Sequence, residues 1–265
     1  MTLSVAVAII TFNEEANIRR TLESVRWADE IVIVDSGSAD RTCDIAREFG
    51  AKVFVEEWKG FAAQKNSAID KCTSDYVLSL DADEEVTPEL SVSIRSAVNG
   101  KPGVAYWVTR HNMFCGRWIR HGGFYPDPKL RLFARGAARF ADRAVHEDLE
   151  LVGGNISNQS LRGDLLHNAY PTLSSYIEHM NRYSSLGADN ARGKGPARFS
   201  AVNIVLRPLA TFAYNYFFRL GFLDGREGLL LHLYHSVYVS WKYAKAWEKA
   251  TVVRHGDTET RRTSK

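Results

Sequence analysis

The stretch Asp75-Tyr76-Val77-Leu78-Ser79-Leu80-Asp81-Ala82-Asp83-Glu84-Glu85 is a short apolar run that ends in four carboxylates. Its apolar part predicts a strand in the interior of a sheet. Open α/β sheets bind ligands beyond the carboxyl ends of their strands, so these acids lie where a ligand is expected. Two aspartates one residue apart can bind a divalent metal, which in turn can hold a diphosphate. An isolated Asp-x-Asp is more often a solvated turn, but the segments upstream favour a site.

Three further apolar runs precede this stretch and give the chain its predicted fold class. They are Ser4–Ile10, Glu30–Val34 and Lys52–Val55, and each is followed by a helical segment. This alternation predicts an α/β fold with a mostly parallel, Rossmann-like sheet, right-handed crossovers and flanking helices. The first run ends in Thr11-Phe12-Asn13-Glu14-Glu15 and the second in Asp35-Ser36-Gly37-Ser38-Ala39-Asp40. Acidic side chains from three strand ends are therefore expected at one edge of the sheet.

This acidic edge predicts a site for a nucleotide diphosphate that is held by a metal. Asp35 and Asp81 suit hydrogen bonds to a ribose or a base, and Asp83 suits a metal ion. The sequence has neither Gly-x-Gly-x-x-Gly after the first strand nor Gly-x-x-x-x-Gly-Lys-Ser/Thr, so it lacks the glycine-rich phosphate loops. Lys65 is the candidate cation for the diphosphate, and a solvated helix lysine is the alternative.

Three segments resemble the signature of family 2 glycosyltransferases: Ile10–Glu15, Val34–Asp40 and Leu80–Glu84. The resemblance implies a GT-A fold, a nucleotide-diphosphate sugar as donor (a UDP-sugar is our expectation), Mg²⁺ or Mn²⁺ as cofactor, and inversion at the anomeric carbon. The residues that it implies for nucleotide-sugar binding are Asn13, Glu15, Asp35, Lys65, Asp81 and Asp83.

Within this family the chain is most similar to small bacterial enzymes that add glucose to the heptose of the lipopolysaccharide inner core. The segments that carry this similarity are Gly116–Asp127, Lys129–Phe133, Val145–Glu147 and Gly221–Arg226. The implied acceptor is a lipid-linked glycan, and transfer to polyprenyl phosphate or another membrane glycan is the alternative.

An inverting transfer needs a base for the acceptor hydroxyl, and a carboxylate is the usual group. His146-Glu147-Asp148 lies where the resembling enzymes carry an acidic pair that contains this base. Glu147 is the first candidate. Asp148 is the second, because many relatives use the aspartate of a Glu-Asp pair. His146 joins Asp83 as a candidate metal ligand, with a structural histidine as the alternative.

Residues 110–143 are rich in arginine, glycine and aromatic residues and form the candidate acceptor region. Sugars stack on aromatic faces, and arginine binds phosphate or carboxylate in bidentate fashion. Trp118 and Arg131 are the candidate acceptor contacts, and the alternation in Lys129–Phe133 predicts that Arg131 lies on a strand. A nucleic-acid partner is not expected, because the acidic edge suits a metal and a nucleotide rather than a duplex.

Length and cysteine content agree with an intracellular enzyme. With 265 residues, 45% of them hydrophobic, the chain can bury one α/β core and carry an appendage. Its three cysteines are far apart, which favours a reducing compartment over disulfides or a zinc site. A strand starts near residue 4 with no basic segment before it, so we expect no signal peptide and a cytoplasmic location.

The C-terminal third is basic and amphipathic. Residues 192 to 265 contain 13 Lys and Arg against 5 Asp and Glu, although the whole chain is only +3. From Leu230 onward an apolar helical stripe (Leu233, Val237, Trp241, Ala244) lies opposite basic residues that include Lys242 and Lys249, with Lys245 at its edge. This pattern is typical of an interfacial helix on an anionic membrane surface. An amphipathic helix packed on the catalytic domain is the alternative.

The predicted organisation is a glycosyltransferase domain over residues 1–190, with a donor half to about residue 100 and an acceptor half from 101. A helical membrane-associating region over 191–250 and a disordered tail over 251–265 follow. The predicted enzyme sits on the inner face of the cell membrane. A nucleotidyltransferase would need a glycine-rich basic loop after the first strand, and a non-catalytic module would need a broken metal site; neither condition is met.

Overall fold

The computed structural model describes residues 3–99, 105–141, 149–152, 158–192 and 199–263. They form two compact units, Met1–Asn112 with Pro126–Ala169 and Met113–Tyr125 with Tyr170–Lys265. The predicted boundary near residue 190 falls inside the second of these units. The segment Met113–Tyr125 belongs to the second unit because its Phe114 and Ile119 are buried in the apolar core of that unit.

Strands supply most of the first unit and helices most of the second. The strands are β1 (Val5–Thr11), β2 (Glu30–Asp35), β3 (Lys52–Val55), β4 (Tyr76–Asp81), β5 (Glu84–Val86), β6 (Ala105–Phe114), β7 (Arg117–Trp118), β8 (Asp127–Ala134), β9 (Ala138–Phe140), β10 (Leu149–Leu151) and β11 (Asn158–Tyr170). The helices are α1 (Ile18–Ser24), α2 (Thr42–Glu48), α3 (Phe61–Asp70), α4 (Pro88–Val98), α5 (Leu173–Arg192), α6 (Arg207–Ala213) and α7 (Gly225–Thr263). Wider π-helical turns, Val202–Leu206 and Tyr214–Phe218, flank α6, and a 3₁₀ turn spans Gly221–Asp224.

The main sheet has the strand order β3-β2-β1-β4-β8-β6-β11-β5. The four strands predicted from the first 81 residues are confirmed, and they pair in parallel. Beyond β4 the sheet becomes antiparallel, because β8 pairs antiparallel with both β4 and β6. The predicted fold class is confirmed: a mixed α/β sheet followed by a C-terminal helical region.

The register of the parallel strands brings their carboxyl ends level. Thr11 of β1 pairs with Asp35 of β2, and Ile10 pairs with Asp81 of β4. Because β1 and β4 are buried along almost their whole length, the chain can expose polar side chains only where these strands end. The edge formed by the ends of β1, β2 and β4, called the rim below, is the predicted acidic edge.

The strand β11, which comes last in the sequence, also contributes a residue near the rim. The short strand β5 pairs antiparallel with β11, and His167 lies opposite Glu84 in that register. The loop between β4 and β5 is fixed from α1, since the hydroxyl of Thr21 donates to the carbonyl of Ala82 at 2.7 Å. The strand pairing therefore brings His167 beside the Asp81-Ala82-Asp83 loop, although it lies more than eighty residues later in the sequence.

The second unit is built around α5 and α7, which pack against each other. Phe114, Ile119, Tyr176, Met180 and Leu231 form its buried core. The helix α7 continues to Thr263, through residues for which the sequence predicts a disordered tail. Extending a packed helix costs far less than starting one, and Thr251–Thr263 has no proline to end it.

Two of the basic residues predicted to face a membrane from α7, Lys245 and Lys249, are engaged inside the second unit. Lys245 donates to the carbonyl of Asn181 at 2.8 Å and to the hydroxyl of Ser184 at 2.7 Å. Lys249 pairs with Asp189 at 2.7 Å. Both lysines therefore bind α5, so α7 matches the alternative of a packed amphipathic helix, with α5 as its partner.

Among the described residues, no helix combines the length and the apolarity that crossing a bilayer requires. The three cysteines, Cys43, Cys72 and Cys115, are free thiols.

Gly163 fixes the path of β11 over the start of α4. It has a positive φ of 81°, and a Cβ there would lie 2.4 Å from the backbone nitrogen of Leu90. We expect Gly163→Ala to destabilise the protein by about 3 kcal/mol or more, because backbone strain and overlap add. Gly136→Ala is the matched control, since Gly136 has a φ of 83° with no atom within 4 Å, and it should cost about 1 kcal/mol. Urea unfolding measures both; equal losses would show that the contact with Leu90 is unimportant.

Candidate active site at the strand ends

Asp35 organises the first part of the rim. The carboxylate is fully buried and accepts four hydrogen bonds: from the backbone nitrogens of Gly37 and Ser38 at 2.9 and 2.8 Å, and from the hydroxyls of Ser38 and Thr11 at 2.5 and 2.8 Å. Burial alone would raise the pKa of Asp35, but the hydrogen bonds from Ser38 and Thr11 outweigh it and lower that pKa. Because its acceptor positions are occupied, a nucleotide can reach Asp35 only by displacing one of them.

Asn13 and Glu15 join the β1 loop to the β2 loop. Asn13 adopts a left-handed conformation with φ of 54°, which asparagine tolerates well. Its side-chain oxygen accepts from the backbone nitrogen of Ala39 at 2.9 Å. The backbone nitrogen of Asn13 donates to the hydroxyl of Ser38 at 2.7 Å. Glu15 accepts from the backbone nitrogen of Arg41 at 3.1 Å. Both predicted nucleotide-sugar ligands are exposed on this double loop.

Asp81 lies between two cations. Lys65 of α3 pairs with one of its oxygens at 2.8 Å, and Arg131 of β8 donates to the other at 2.9 Å. Partial burial would raise the pKa of Asp81, but the charges of Lys65 and Arg131 hold it well below its usual range. Asp81 is therefore ionised, and its charge is compensated within the fold.

The pair at Asp81 continues into a chain of alternating charges. Arg131 also donates to Glu84 at 2.6 Å, and Arg110 reaches the same Glu84 oxygen at 3.2 Å. Arg110 then pairs with Asp127 at 2.7 Å. Arg131 and Glu84 are only 4% and 0% exposed, so this chain lies beneath the rim.

Two cations of the predicted site, Arg131 and Lys65, lie in this network. Arg131 does lie on a strand, as predicted, but its guanidinium is buried against Asp81 and Glu84 rather than exposed to an acceptor. Lys65 is also buried, against Asp81 and within 5.1 Å of the ring centre of Phe140, which rules out the solvated helix lysine. Both side chains set the charge of the rim from below.

Asp83 and His167 face each other above the network. The Nε2 atom of His167 is 3.5 Å from a carboxylate oxygen of Asp83. The Nδ1 atom of His167 lies 2.7 Å from the side-chain oxygen of Asn112, whose NH₂ group donates to Asp127 at 3.2 Å. Since Asp127 can only accept, the Asn112 oxygen must point at His167, and Nδ1 therefore carries the proton. Nε2 is then the ring nitrogen that faces Asp83.

Glu14 and two asparagines complete this side of the rim. Glu14 accepts from Asn17 at 2.9 Å, and Asn17 accepts from the side chain of Asn168 at 3.2 Å. The backbone nitrogen of Asn168 donates to the carbonyl of Asp83 at 3.0 Å. Burial and the nearby charges of Asp83, Asp40 and Asp81 raise the pKa of Glu14, against a hydrogen bond from Asn17. Glu14 therefore shares this side of the rim with the charges of Asp83, Asp40 and Asp81.

The family of the chain follows from its match to a known family model. The model described as Glycosyl transferase family 2 matches residues 6–170, which include the rim, the ion network and His167. The chain belongs to glycosyl transferase family 2. The predicted family membership is confirmed.

Two curated relatives of this family 2 glycosyltransferase cover most of its length. An uncharacterized glycosyltransferase of Rickettsia bellii (strain RML369-C) is 45% identical over 243 residues, which are 87% of this chain and 81% of the relative. The lipopolysaccharide core biosynthesis glycosyltransferase LpsC of Rhizobium meliloti (strain 1021) is 28% identical over 256 residues, 93% of each chain.

Solved structures resemble the chain less closely. S. aureus TarS is 14% identical with a TM-score of 0.49, over 92% of this chain and 55% of that chain. Glucosyl-3-phosphoglycerate synthase of Mycobacterium tuberculosis, solved with Mn²⁺, UDP and glucosyl-3-phosphoglycerate, is 21% identical with a TM-score of 0.35, over 42% of this chain and 44% of that chain. The chain thus spans about half the length of these two structures.

The rim fits the divalent metal that the family implies. Within the described ranges no three His, Cys, Asp or Glu side chains gather around one point. Asp83 and His167 nevertheless offer a carboxylate oxygen and a ring nitrogen that lie 3.5 Å apart. Asn112 holds the other ring nitrogen, as is usual for a metal-binding histidine. Mg²⁺ is commonly held by one or two carboxylates together with substrate phosphates and waters, and Asp83 can supply such a carboxylate.

Sequence reasoning identified Asp83 but gave no role to His167 or Asn112. The sequence offered only the segment His167-Asn168-Ala169-Tyr170 as a sign that His167 matters. The pairing of β11 with β5 is what places His167 beside Asp83. Trp118, the other predicted acceptor contact, lies in the second unit, where Arg120 covers its ring at 3.9 Å. His146, Glu147 and Asp148 lie outside the described residues, so their roles remain predictions.

The buried pairs at Asp81 predict a large stability cost for Asp81→Asn. Loss of this charge leaves Lys65 and Arg131 undercompensated, and we expect about 3 kcal/mol of destabilisation at neutral pH. Asp70→Asn is the control, because Asp70 and Arg139 form an exposed pair, and it should cost less than about 1 kcal/mol.

The difference in stability between wild type and Asp81→Asn should depend on pH. Since the pKa of Asp81 is lowered on folding, its stabilisation is complete above the unfolded pKa of about 3.9 and is lost as pH falls through the folded value. Urea unfolding from pH 7 downward should show the gap between wild type and Asp81→Asn closing only in acid. A gap that closes near neutral pH would contradict the assignment.

Proposed function

We propose that this family 2 enzyme transfers a sugar, glucose being our choice, from a UDP-sugar to a lipid-linked glycan such as the lipopolysaccharide inner core. The observation that carries the proposal is the pair Asp83 and His167, directed at each other on the rim of a parallel sheet. The resemblance to LpsC over 93% of the chain supports the acceptor class.

The donor site that we propose is the rim. A divalent metal bound there by Asp83 and His167 would stabilise the negative charge that develops on the departing diphosphate. Asn13 and Glu15 lie on the double loop at the ends of β1 and β2, where a nucleoside would bind. Lys65 and Arg131 compensate Asp81, so that a dianionic diphosphate does not meet a second uncompensated carboxylate.

We further propose that the transfer inverts the anomeric carbon, with Glu147 as base and Asp148 as the alternative. The base would take the proton of the acceptor hydroxyl as that oxygen attacks from the face opposite the leaving diphosphate. His146, three residues before the β10 strand that begins at Leu149, stays a proposed additional metal ligand.

Thermal unfolding with UDP-sugars tests the donor site. We expect one UDP-sugar to raise the melting temperature of wild type by a few degrees with Mn²⁺ and not with chelator. Asp83→Ala should lose this shift. Asn112→Ala should weaken metal-dependent binding at least about tenfold, because His167 loses the group that orients it.

His111→Gln is the matched control for His167→Gln. His111 is a partly buried histidine that pairs with Asp164 at 3.1 Å, away from Asp83. We expect His111→Gln to keep the metal-dependent shift and His167→Gln to lose it. If Asp83→Ala keeps the shift, or if both histidine variants behave alike, the proposed metal site is wrong.

Turnover separates the two candidate bases. Glu147→Gln should retain the metal-dependent thermal shift and lose about 10² to 10⁴-fold in the rate of nucleotide release with acceptor present. Asp148→Asn is its comparison and should lose much less. The reverse pattern would move the base to Asp148, and near-normal rates in both variants would remove the base from this segment.

A further inference from the structure

The second unit carries an exposed apolar surface that its own packing leaves uncovered. More than half of the large apolar side chains exposed in the described residues lie between positions 199 and 233. Those before the start of α7 are Phe199, Val202, Val205, Leu206, Leu209, Tyr214, Phe217, Phe218, Leu220, Phe222 and Leu223, called the apolar face below. Contiguous exposed apolar side chains of this extent mark an interaction surface.

The helix that runs from Val202 through α6 exposes the first part of this surface. Val202, Val205, Leu206 and Leu209 are each more than half exposed. The other side of the helix packs on α7, where Pro208 is buried. Bonds from α7 fix this orientation, because the hydroxyl of Ser240 donates to the carbonyl of Ile204 at 2.8 Å. The side of this helix that faces away from α7 is therefore apolar and exposed.

The turn after this helix is held so that its apolar residues point outward. Leu220 adopts a left-handed conformation with φ of 61°, which costs a residue other than glycine about 1 kcal/mol. Gly221 lies so close to the ring of His232 that a Cβ would approach it to 2.3 Å. Asp224 is buried and accepts from the backbone nitrogens of Arg120 and His121 at 3.2 and 2.8 Å. Leu220, Phe222 and Leu223 remain exposed on this anchored turn.

The charges around the apolar face have one sign. Residues 199–223 contain two arginines, Arg207 and Arg219, and no aspartate or glutamate. The next acid, Asp224, is buried, so it adds no negative charge to the surface. Both arginines are exposed, and Arg219 lies over the ring of Tyr214 at 6.0 Å. Aromatic and aliphatic side chains with arginine at their border suit the headgroup region of an anionic bilayer.

We propose that the apolar face docks the enzyme on an anionic phospholipid bilayer, with α7 and α5 as its support. This inference deepens the proposed function, since it names the surface that would bring the enzyme to a lipid-linked acceptor. It replaces α7, the helix that the sequence favours for this role, because Lys245 and Lys249 are engaged with α5.

Vesicle co-sedimentation of the full chain tests this docking surface. We expect wild type to sediment with vesicles of phosphatidylethanolamine and phosphatidylglycerol, and less with phosphatidylcholine alone. Leu209→Gln with Phe218→Gln should lower the vesicle partition coefficient at least about tenfold, since both side chains are apolar and exposed by 60% and 78%. Added salt should weaken binding to the anionic vesicles only in part, because apolar contacts are not screened.

Val55→Gln with Val92→Gln is the matched control, because both side chains are apolar and exposed by 61% and 60% but lie in the first unit. It should sediment like wild type. Failure of wild type to bind either vesicle, or equal binding of both double variants, would overturn the proposal. Light scattering that shows a dimer in wild type and a monomer in Leu209→Gln/Phe218→Gln, without vesicle binding, would assign the surface to a second copy instead.

The two proposals can fail separately. Vesicle binding needs neither donor nor acceptor, and the thermal shift with UDP-sugar and Mn²⁺ needs no lipid. A preparation that binds vesicles without any UDP-sugar shift would leave the docking surface standing and remove the donor site.

Discussion

Arg131 donates from one nitrogen to both Asp81 and Glu84, at 2.9 and 2.6 Å, and the acid-rich edge of the sheet depends on this shared contact. Carboxylates brought together away from water repel one another and lose hydration, so they need cations at hydrogen-bond distance. Arg131 supplies the first from β8, Lys65 the second from α3, and Arg110 the third from β6. Three elements distant in sequence are thus tied to the end of β4 and the start of β5.

This arrangement divides the acids of the rim into two layers with different tasks. Asp81, Glu84 and Asp127 are paired beneath the surface, and their charges are compensated within the fold. Asp83 faces the Nε2 atom of His167 instead. Asn112 connects the two layers, because it donates to Asp127 and accepts from Nδ1 of His167. The ion network therefore fixes the orientation of the His167 ring as well as the position of the loop that carries Asp83.

The parallel half of this fold could be predicted from sequence, because its signals are local. Apolar runs, turn residues and β/α alternation give β1 to β4 and place their carboxyl ends on one edge. His167 and Asn112 could not be assigned, since antiparallel pairing with β5 and β8 brings them to the rim from distant parts of the chain. Lys65 and Arg131 were expected at a ligand because sequence shows a cation near a site but not which carboxylate it meets. Glu147 and Asp148 stay predictions, as does the nucleotide contact of Asp35.

The second unit shows why amphipathic patterns alone do not tell which side of a helix faces outward. The lysines of α7 suit a charged surface, yet α5 offers them carbonyl oxygens, hydroxyls and Asp189, and these satisfy an ammonium group within the fold. The helix that runs through α6 instead exposes Val202, Leu206 and Leu209, each by more than half. Exposure of these large apolar side chains to water is unfavourable, because they are not buried inside the unit. The physical demand for a non-aqueous neighbour therefore falls on this helix and its following turn, rather than on the longer and more basic helix α7.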